Sequence, residues 1–190
     1  MFCVYNPERL RDMFGERATF GMPFVQALLN DDGLLDATFK MQTVIGDQRW
    51  VDVFTSAGIP AVFDSEMLLW LRCHVGFSIA MLGVCVPAKR RGEGATWKEA
   101  STAAAGMYAN FALTKSMGYR LHPAPKAIAN SLPSTVVTGL LWLLSRQEGI
   151  RNLLGQARPE CNALIDSVIE AAQKANKVSV IAPLQAVQSL

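Results

Sequence analysis

The long apolar run from Leu68 to Pro87 constrains the fold more than any other part of the sequence. It has the length of a bilayer-spanning helix, which needs about 20 apolar residues. Arg72 and His74 interrupt the run, however, and a charged side chain at the centre of a bilayer costs several kcal/mol. We therefore predict a helix buried on most sides in a protein core, partly by a second subunit, and no membrane attachment. Attachment to a membrane through residues 68–87 is the weaker alternative.

The rest of the sequence predicts a mainly α protein with a boundary near residue 62. Residues 1–62 are interpreted as a small α/β segment, and residues 63–190 as a helical domain. In the first part we predict a helix over Pro7–Phe14, a strand over Ala18–Met22, a turn over Asn30–Gly33, a strand over Leu34–Ile45, a helix over Gln48–Ala57 and a strand over Ile59–Phe63. In the second part we predict helices over Ser65–Val84, Thr96–Met117, Pro125–Leu132, Ser134–Ser145, Gly149–Leu154 and Pro159–Ala175, and a last short helix before Leu190.

The composition limits the kinds of partner. Lys and Arg total 18 against 16 Asp and Glu, so no basic surface for nucleic acid is indicated. The four cysteines form no Cys-x-x-Cys pair, which favours free thiols in a reducing cytosol over disulfides or zinc. The N-terminus has no basic head followed by an apolar stretch, so we predict no signal peptide and a cytoplasmic protein.

No strong nucleotide-binding motif is found in the sequence. The nearest candidate is Gly92-Glu93-Gly94, but Trp97 stands where the dinucleotide fingerprint needs its third glycine. The predicted element before it is a helix and loop rather than a strand, so the backbone could not approach a pyrophosphate. Lys89, Arg90 and Arg91 precede it and are interpreted as a solvated basic loop.

Two stretches carry a resemblance to a known family. The first is the helix that contains Trp70, Arg72, Gly76 and Ala80, which resembles the first helix of the C-terminal domain of ketopantoate reductases (2-dehydropantoate 2-reductases). In that family the helix carries Trp, a catalytic Lys two residues later, and Asn at two further four-residue steps. The second is Gly155–Asp166, which is similar to the family's Gly-Arg-Pro-Thr-Glu segment. Pro7–Gly46 and the tail 175–183 are also similar to parts of that family, so the resemblance spans nearly the whole chain.

The resemblance implies a helical bundle like that of 6-phosphogluconate dehydrogenase-type reductases, preceded by a remnant of the dinucleotide-binding domain. Intact members use NADPH to reduce the ketone of a 2-oxo acid in pantothenate biosynthesis. Because we expect this chain to be truncated and without a GxGxxG half, we expect NADP binding only if a Rossmann domain is supplied, and no cofactor for the chain alone. Whether it is an enzyme stays open at this point.

The resemblance also supplies the candidate site. Arg72 stands at the position of the catalytic Lys; it keeps the cation and can grip a carboxylate, but arginine is a poor proton donor at neutral pH. Gly76 and Ala80 lie on the same helical stripe and have lost the family's amides. Glu160 and Asn162 match the substrate-holding segment, and His74 is a further candidate for substrate contact, with a packed histidine as the alternative. We expect Arg72 and Glu160 to meet at the mouth of one cleft.

Two functional hypotheses remain. One is the substrate-side domain of an NADPH-dependent 2-oxo acid reductase, with a 2-oxo acid as ligand. The alternative is a non-enzymatic helical module that dimerises or binds a small ligand. Both include a homodimer formed through the apolar helices at 68–84 and 135–144.

Overall fold

The computed structural model describes residues 5–29, 32–39 and 41–190, and it is mainly helical, as the sequence predicts. The chain divides into two compact units. The small unit comprises residues 7–68. The helical unit comprises residues 69–190 together with Tyr5 and Asn6.

The small unit contains two β-sheets and two helices. A three-stranded sheet has the order β1-β4-β5, in which β4 pairs antiparallel with β1 and parallel with β5, and β2 and β3 form a separate antiparallel hairpin. The elements are α1 Pro7–Phe14, a 3-10 turn Gly15–Arg17, β1 Gly21–Met22, β2 Val25–Leu29, β3 Leu35–Phe39, β4 Thr43–Ile45, α2 Gln48–Ser56 and β5 Ala61–Phe63. Parallel strands need a crossover connection, and α2 provides it. Asp47 caps α2, because its side chain accepts a 2.9 Å hydrogen bond from the Arg49 amide.

The prediction of one strand over Leu34–Ile45 is wrong. The segment forms two strands, which pair with different partners: Leu35–Phe39 with β2, and Thr43–Ile45 with β1 and β5. Between them Met41 is 64% exposed, whereas Thr43 and Ile45 are buried. A local alternation of residue types cannot reveal a change of pairing partner, because the partners are distant in sequence. The predicted turn Asn30–Gly33 lies partly outside the described residues.

The helical unit is built around a long, buried helix, α3, which begins in the small unit at Met67. The elements are α3 Met67–Arg91, α4 Trp97–Ser116, α5 Ala124–Ser131, α6 Ser134–Leu144, α7 Glu148–Leu154, α8 Arg158–Lys174, a 3-10 turn Val178–Val180 and α9 Ile181–Gln188. The Thr96–Glu99 capping box predicted for α4 is confirmed, since Thr96 Oγ1 accepts from the Glu99 amide and Glu99 Oε2 accepts from the Thr96 amide.

Helix α3 continues through Pro87, although the sequence predicts a loop from that residue. A proline inside a helix removes one backbone hydrogen bond and crowds the preceding turn. Here Val84, Cys85 and Ala88 are fully buried on either side of it. Burial of this apolar turn outweighs the local cost of proline, so the helix ends four residues later at Arg91, with Gly92 at φ +75° after it.

By length and composition α3 could cross a bilayer, but 72% of its most apolar window is buried inside the protein, as in the core helix of a soluble protein. Helices α5 and α6 pass the same test only as a pair, and they are bent by 113°. Of the two helices expected to form a dimer, α3 is therefore mostly covered by its own chain. Helix α6 still exposes apolar side chains.

Glycines allow α3, α4 and α9 to approach closely. A Cβ added at Gly83 of α3 would lie 2.8 Å from Val187 Cγ1, and one added at Gly106 of α4 would lie 2.7 Å from Val187 Cγ2. Val187 of α9 is 3% exposed, and Ile79 also lies beside Gly106. The branched side chain of Val187 is thus held between two helices at positions where only glycine fits.

We predict that Gly106→Ala destabilises the protein, because the added methyl would collide with the rigid Val187 side chain. The expected loss is about 1 to 3 kcal/mol in the free energy of unfolding, as for other overpacked cores. Gly149→Ala is the matched control, because an added Cβ there meets no atom within 4 Å, and a helical alanine is favoured over glycine. Urea unfolding of both variants measures the difference; equal shifts would contradict the proposed packing.

Candidate functional site

Arg72 is buried in the helical unit, near the N-terminal end of α3, and is only 3% exposed. Its Nε donates a 3.1 Å hydrogen bond to the backbone carbonyl of Tyr5. Its guanidinium carbon lies 4.1 Å from the centre of the Tyr119 ring, which stacks on it. The cation expected at this position is present, but a backbone carbonyl of the same chain occupies one of its donors.

Tyr5 is the residue that reaches Arg72, and it is 1% exposed. Its hydroxyl lies 3.5 Å from Thr114 Oγ1 and also donates to Met117 Sδ at 3.6 Å. Burial raises the pKa of Tyr5 to about 12, although the hydrogen bond with Thr114 and the charge of Arg72 act in the opposite direction. The phenol is therefore a neutral, buried group fixed at both its hydroxyl and its backbone ends.

The space beside Gly76, one turn after Arg72 on the same stripe, is occupied by a side chain of the neighbouring helix α4. A Cβ at Gly76 would lie 2.7 Å from Asn110 Oδ1, so the Asn110 amide packs directly against α3. Asn110 is fully buried, and neither of its amide atoms has a hydrogen-bond partner among the described residues. An unsatisfied buried polar group costs about 1 to 3 kcal/mol, which marks this position as unusual.

His74 stacks on Trp70, with ring centres 4.5 Å apart, one turn along α3. Lys126 lies on the same indole, 3.6 Å from its centre, and its Nζ donates a 2.8 Å hydrogen bond to the Trp70 carbonyl. Burial, followed by the charge of Lys126, lowers the pKa of His74 to about 3. His74 is therefore neutral at physiological pH, which suits the packed-histidine interpretation better than a general acid.

Glu160 and Asn162 lie at the start of α8, which borders the C-terminal half of α3 rather than the turn that carries Arg72. Glu160 is exposed on the first turn of α8, while Asn162 borders a shallow groove whose other side includes Leu82 of α3. Leu82 follows Arg72 by ten residues, which is about 15 Å along a helix that rises about 1.5 Å per residue. The structure thus brings Arg72, Gly76 and His74 together on one helix, but it does not bring Glu160 to Arg72 as the sequence analysis expects.

Sequence analysis did not single out Tyr5, Asn110 or Lys126. A weak signal exists only for Asn110, which interrupts the run of small and apolar residues in α4. Tyr5 and Lys126 are 67 and 54 residues from Arg72 in the sequence, and no local pattern links them to it.

The residues present do not fit a dinucleotide. Gly92-Glu93-Gly94 follows the end of α3 rather than a strand, and Arg91 in front of it pairs with Glu99. In the part of the chain that the structure describes, each strand-to-helix junction carries a single glycine or none, as at Gly46 before α2. Among these described residues, no group of three or more metal-ligating side chains occurs.

A separate cleft of about 420 Å³ lies within the small unit, at the carboxyl ends of the parallel strands β4 and β5. Ligands of α/β folds bind at this edge of the sheet. Its polar lining comprises Arg11, Thr19, Asp47, Gln48 and Ser65. Asp47 bonds the Arg49 guanidinium, which lowers the pKa of that carboxyl, so a carboxylate stands where a phosphate would meet the N-terminus of α2.

The described cysteines are buried and unbridged, as predicted. Cys73, Cys85 and Cys161 are free thiols, and Cys3 lies outside the described residues. Burial raises the pKa of Cys85 and of Cys161 to about 11, so both are protonated at neutral pH.

Comparison of the chain with family models, curated proteins and solved structures gave no match.

The buried phenol predicts a specific loss of stability at alkaline pH. Because the folded pKa of Tyr5 is about 12 against 10.0 for the free group, its contribution is complete below pH 10 and disappears as the pH rises through 12. We expect the wild type to lose about 2 to 3 kcal/mol more than Tyr5→Phe over this interval. Urea unfolding of both proteins across the pH series measures it; parallel curves would contradict burial of the ionisable hydroxyl.

Proposed function

We propose that the chain is the substrate-side helical half of a ketopantoate-reductase-like protein, and that it holds an oxygen-bearing ligand at Arg72 without reducing it. The observation that carries this proposal is the order of elements around Arg72. A parallel β4-α2-β5 unit leads directly into the long helix α3, and the buried cation lies two residues after Trp70 in that helix. A dinucleotide-domain remnant followed by a helical bundle has this order.

Arg72 is suited to bind an oxygen acceptor. Its Nε already donates to a carbonyl, and Tyr119 holds the plane of the guanidinium. A carboxylate of a 2-oxo acid would make a stronger, charge-assisted bond at the same donor. Reduction needs a further group that donates a proton to the carbonyl oxygen, and neither an arginine nor a neutral histidine does this readily at physiological pH.

The rest of the stripe supports binding without turnover. Gly76 and Ala80 bear no side-chain hydrogen-bond donor, and Glu160 is exposed on the first turn of another helix, α8. NADP, when bound to an intact member of the family, supplies hydride; the residues of this chain do not fit the dinucleotide. We therefore propose that hydride transfer requires a nucleotide-binding domain from elsewhere, and that a cytoplasmic 2-oxo acid is the ligand class.

The proposal is tested by titrating the full chain, with ¹⁵N-labelled arginine, with ketopantoate. We expect the Arg72 Nε signal to shift with ketopantoate but not with its uncharged lactone, since only the acid offers a carboxylate. We also expect NADPH absorbance to stay constant when NADPH and ketopantoate are mixed with the chain. An unchanged Arg72 signal at saturating ligand, or NADPH oxidation that depends on ketopantoate, would refute the proposal.

The second candidate is a homodimerisation module that uses α6. Val136, Leu140 and Leu143 are 44%, 57% and 58% exposed, and their four- and three-residue spacing places them on one stripe. Residues 134–144 carry no charged side chain, so a two-fold contact would bring the same apolar stripe against itself without like charges meeting. A second copy of this chain is therefore the partner that fits the stripe.

If α6 forms the dimer, Leu140→Glu together with Leu143→Glu should shift the protein to monomer, because carboxylates would then be buried against each other across the two-fold axis. Val53→Glu is the control, since Val53 is 51% exposed on α2 and distant in sequence from α6. Sedimentation at micromolar concentration measures the outcome. A wild type that is already monomeric there would exclude the dimer.

A further inference from the structure

We infer that the helical unit contains a binding site for a phenol-bearing carboxylate, and that the chain fills this site with its own Tyr5. The inference concerns a ligand that the reductase relationship does not assign, and it holds whether or not that relationship is correct.

The first observation is how Tyr5 enters the helical unit. After Asn6, the next residue of this unit along the chain is Leu69, and residues 7–68 between them belong to the small unit. Tyr5 is nevertheless 1% exposed, as buried as any core residue. A side chain supplied from a short segment, surrounded by helices from a distant part of the sequence, occupies its site as a ligand would.

The second observation is that polar groups contact Tyr5 at both its hydroxyl and its backbone carbonyl. Its hydroxyl lies beside Thr114 at 3.5 Å, and its carbonyl accepts from Arg72 at 3.1 Å, while the Arg72 guanidinium carbon is 5.9 Å from the phenol ring centre. The phenol end therefore meets a hydroxyl and the acceptor end meets a cation. A buried ring with placed polar partners at its two ends is also how small-molecule sites fix the orientation of an aromatic ligand.

The third observation is Asn110. It lies one turn before Thr114 on α4, so both side chains are on the same face of that helix. Its amide is fully buried without a hydrogen-bond partner among the described residues. Its Oδ1 lies against Gly76, one turn after Arg72 on α3, so an unpaired amide stands on the Arg72 stripe, where a polar ligand could satisfy it.

The spacing of these groups defines the ligand class. In Tyr5 two carbon atoms, Cβ and Cα, separate the ring from the carbonyl carbon. A molecule with a 4-hydroxyphenyl group and a carboxylate at that distance can present a hydroxyl to Thr114 and an acceptor to Arg72 as Tyr5 does, and its carboxylate would bond Arg72 more strongly than a neutral carbonyl does. The probe with this spacing is 3-(4-hydroxyphenyl)propanoate.

The experiment compares binding of this probe to the wild-type chain and to Tyr5→Ala by isothermal titration calorimetry. We expect at least about tenfold tighter binding to Tyr5→Ala, because the variant removes the phenol that fills the site and with it the side chain that anchors the residue-5 carbonyl on Arg72. Two further ligands separate the contacts: 3-phenylpropanoate lacks the hydroxyl, and 4-ethylphenol lacks the carboxylate. Both should bind Tyr5→Ala more weakly than the probe does.

Tyr108→Ala is the matched control, because it removes another phenol from the helical unit, one whose hydroxyl donates to the Leu132 carbonyl. Without Arg72 beside the vacancy, this variant should not prefer the probe over 4-ethylphenol. If Tyr5→Ala is unfolded, the probe should refold it by linkage, as judged by circular dichroism.

Three results would overturn the inference: equal binding of the probe to wild type and Tyr5→Ala, a preference of Tyr5→Ala for 4-ethylphenol over the probe, or an unfolded Tyr5→Ala that the probe does not restore. The second result would mean that Tyr5 leaves only an apolar vacancy.

Discussion

Burial of the Arg72 guanidinium is the constraint on which the N-terminal end of α3 depends. A buried cation is tolerated only when hydrogen bonds and favourable electrostatics replace the lost water. The Tyr5 carbonyl and the Tyr119 ring supply part of this replacement, and they come from both sides of α3 in sequence. The same cation thereby fixes a segment at residue 5 and the end of α4 against one turn of α3.

The packing of the C-terminal half of α3 depends on the size of its side chains rather than on charge. Gly83 and Gly106 admit the Val187 side chain of α9 between α3 and α4, and Ala88 and Ala103 are fully buried nearby in sequence. Such contacts gain dispersion energy only when the fit is close. One helix thus carries a buried cation with its polar partners at one end and dense apolar packing at the other.

The sequence predicted those parts of the fold that have local causes. The bounds of α1 and α4 follow from proline and capping residues, and the position of Arg72 on a buried helix follows from the surrounding apolar run. The strand over 34–45 was mispredicted because pairing is decided by distant segments. The continuation of α3 through Pro87 was not predicted, because it depends on the burial of that turn in the folded core. The contacts at the candidate site were not predicted for the same reason, because Tyr5 and Asn110 come to lie beside the Arg72 stripe only when the chain folds.

Under the proposed relationship, Arg72 stands where the family has lysine, and the two side chains differ in their chemistry. A lysine ammonium titrates more readily when buried and can serve as a proton donor, whereas an arginine stays charged and offers several donors in one plane. Arg72 uses that geometry to donate a hydrogen bond from one edge to the Tyr5 carbonyl while Tyr119 stacks on its face. A permanent, planar cation suits recognition of an oxygen acceptor; it does not suit a cycle in which a proton must leave and return.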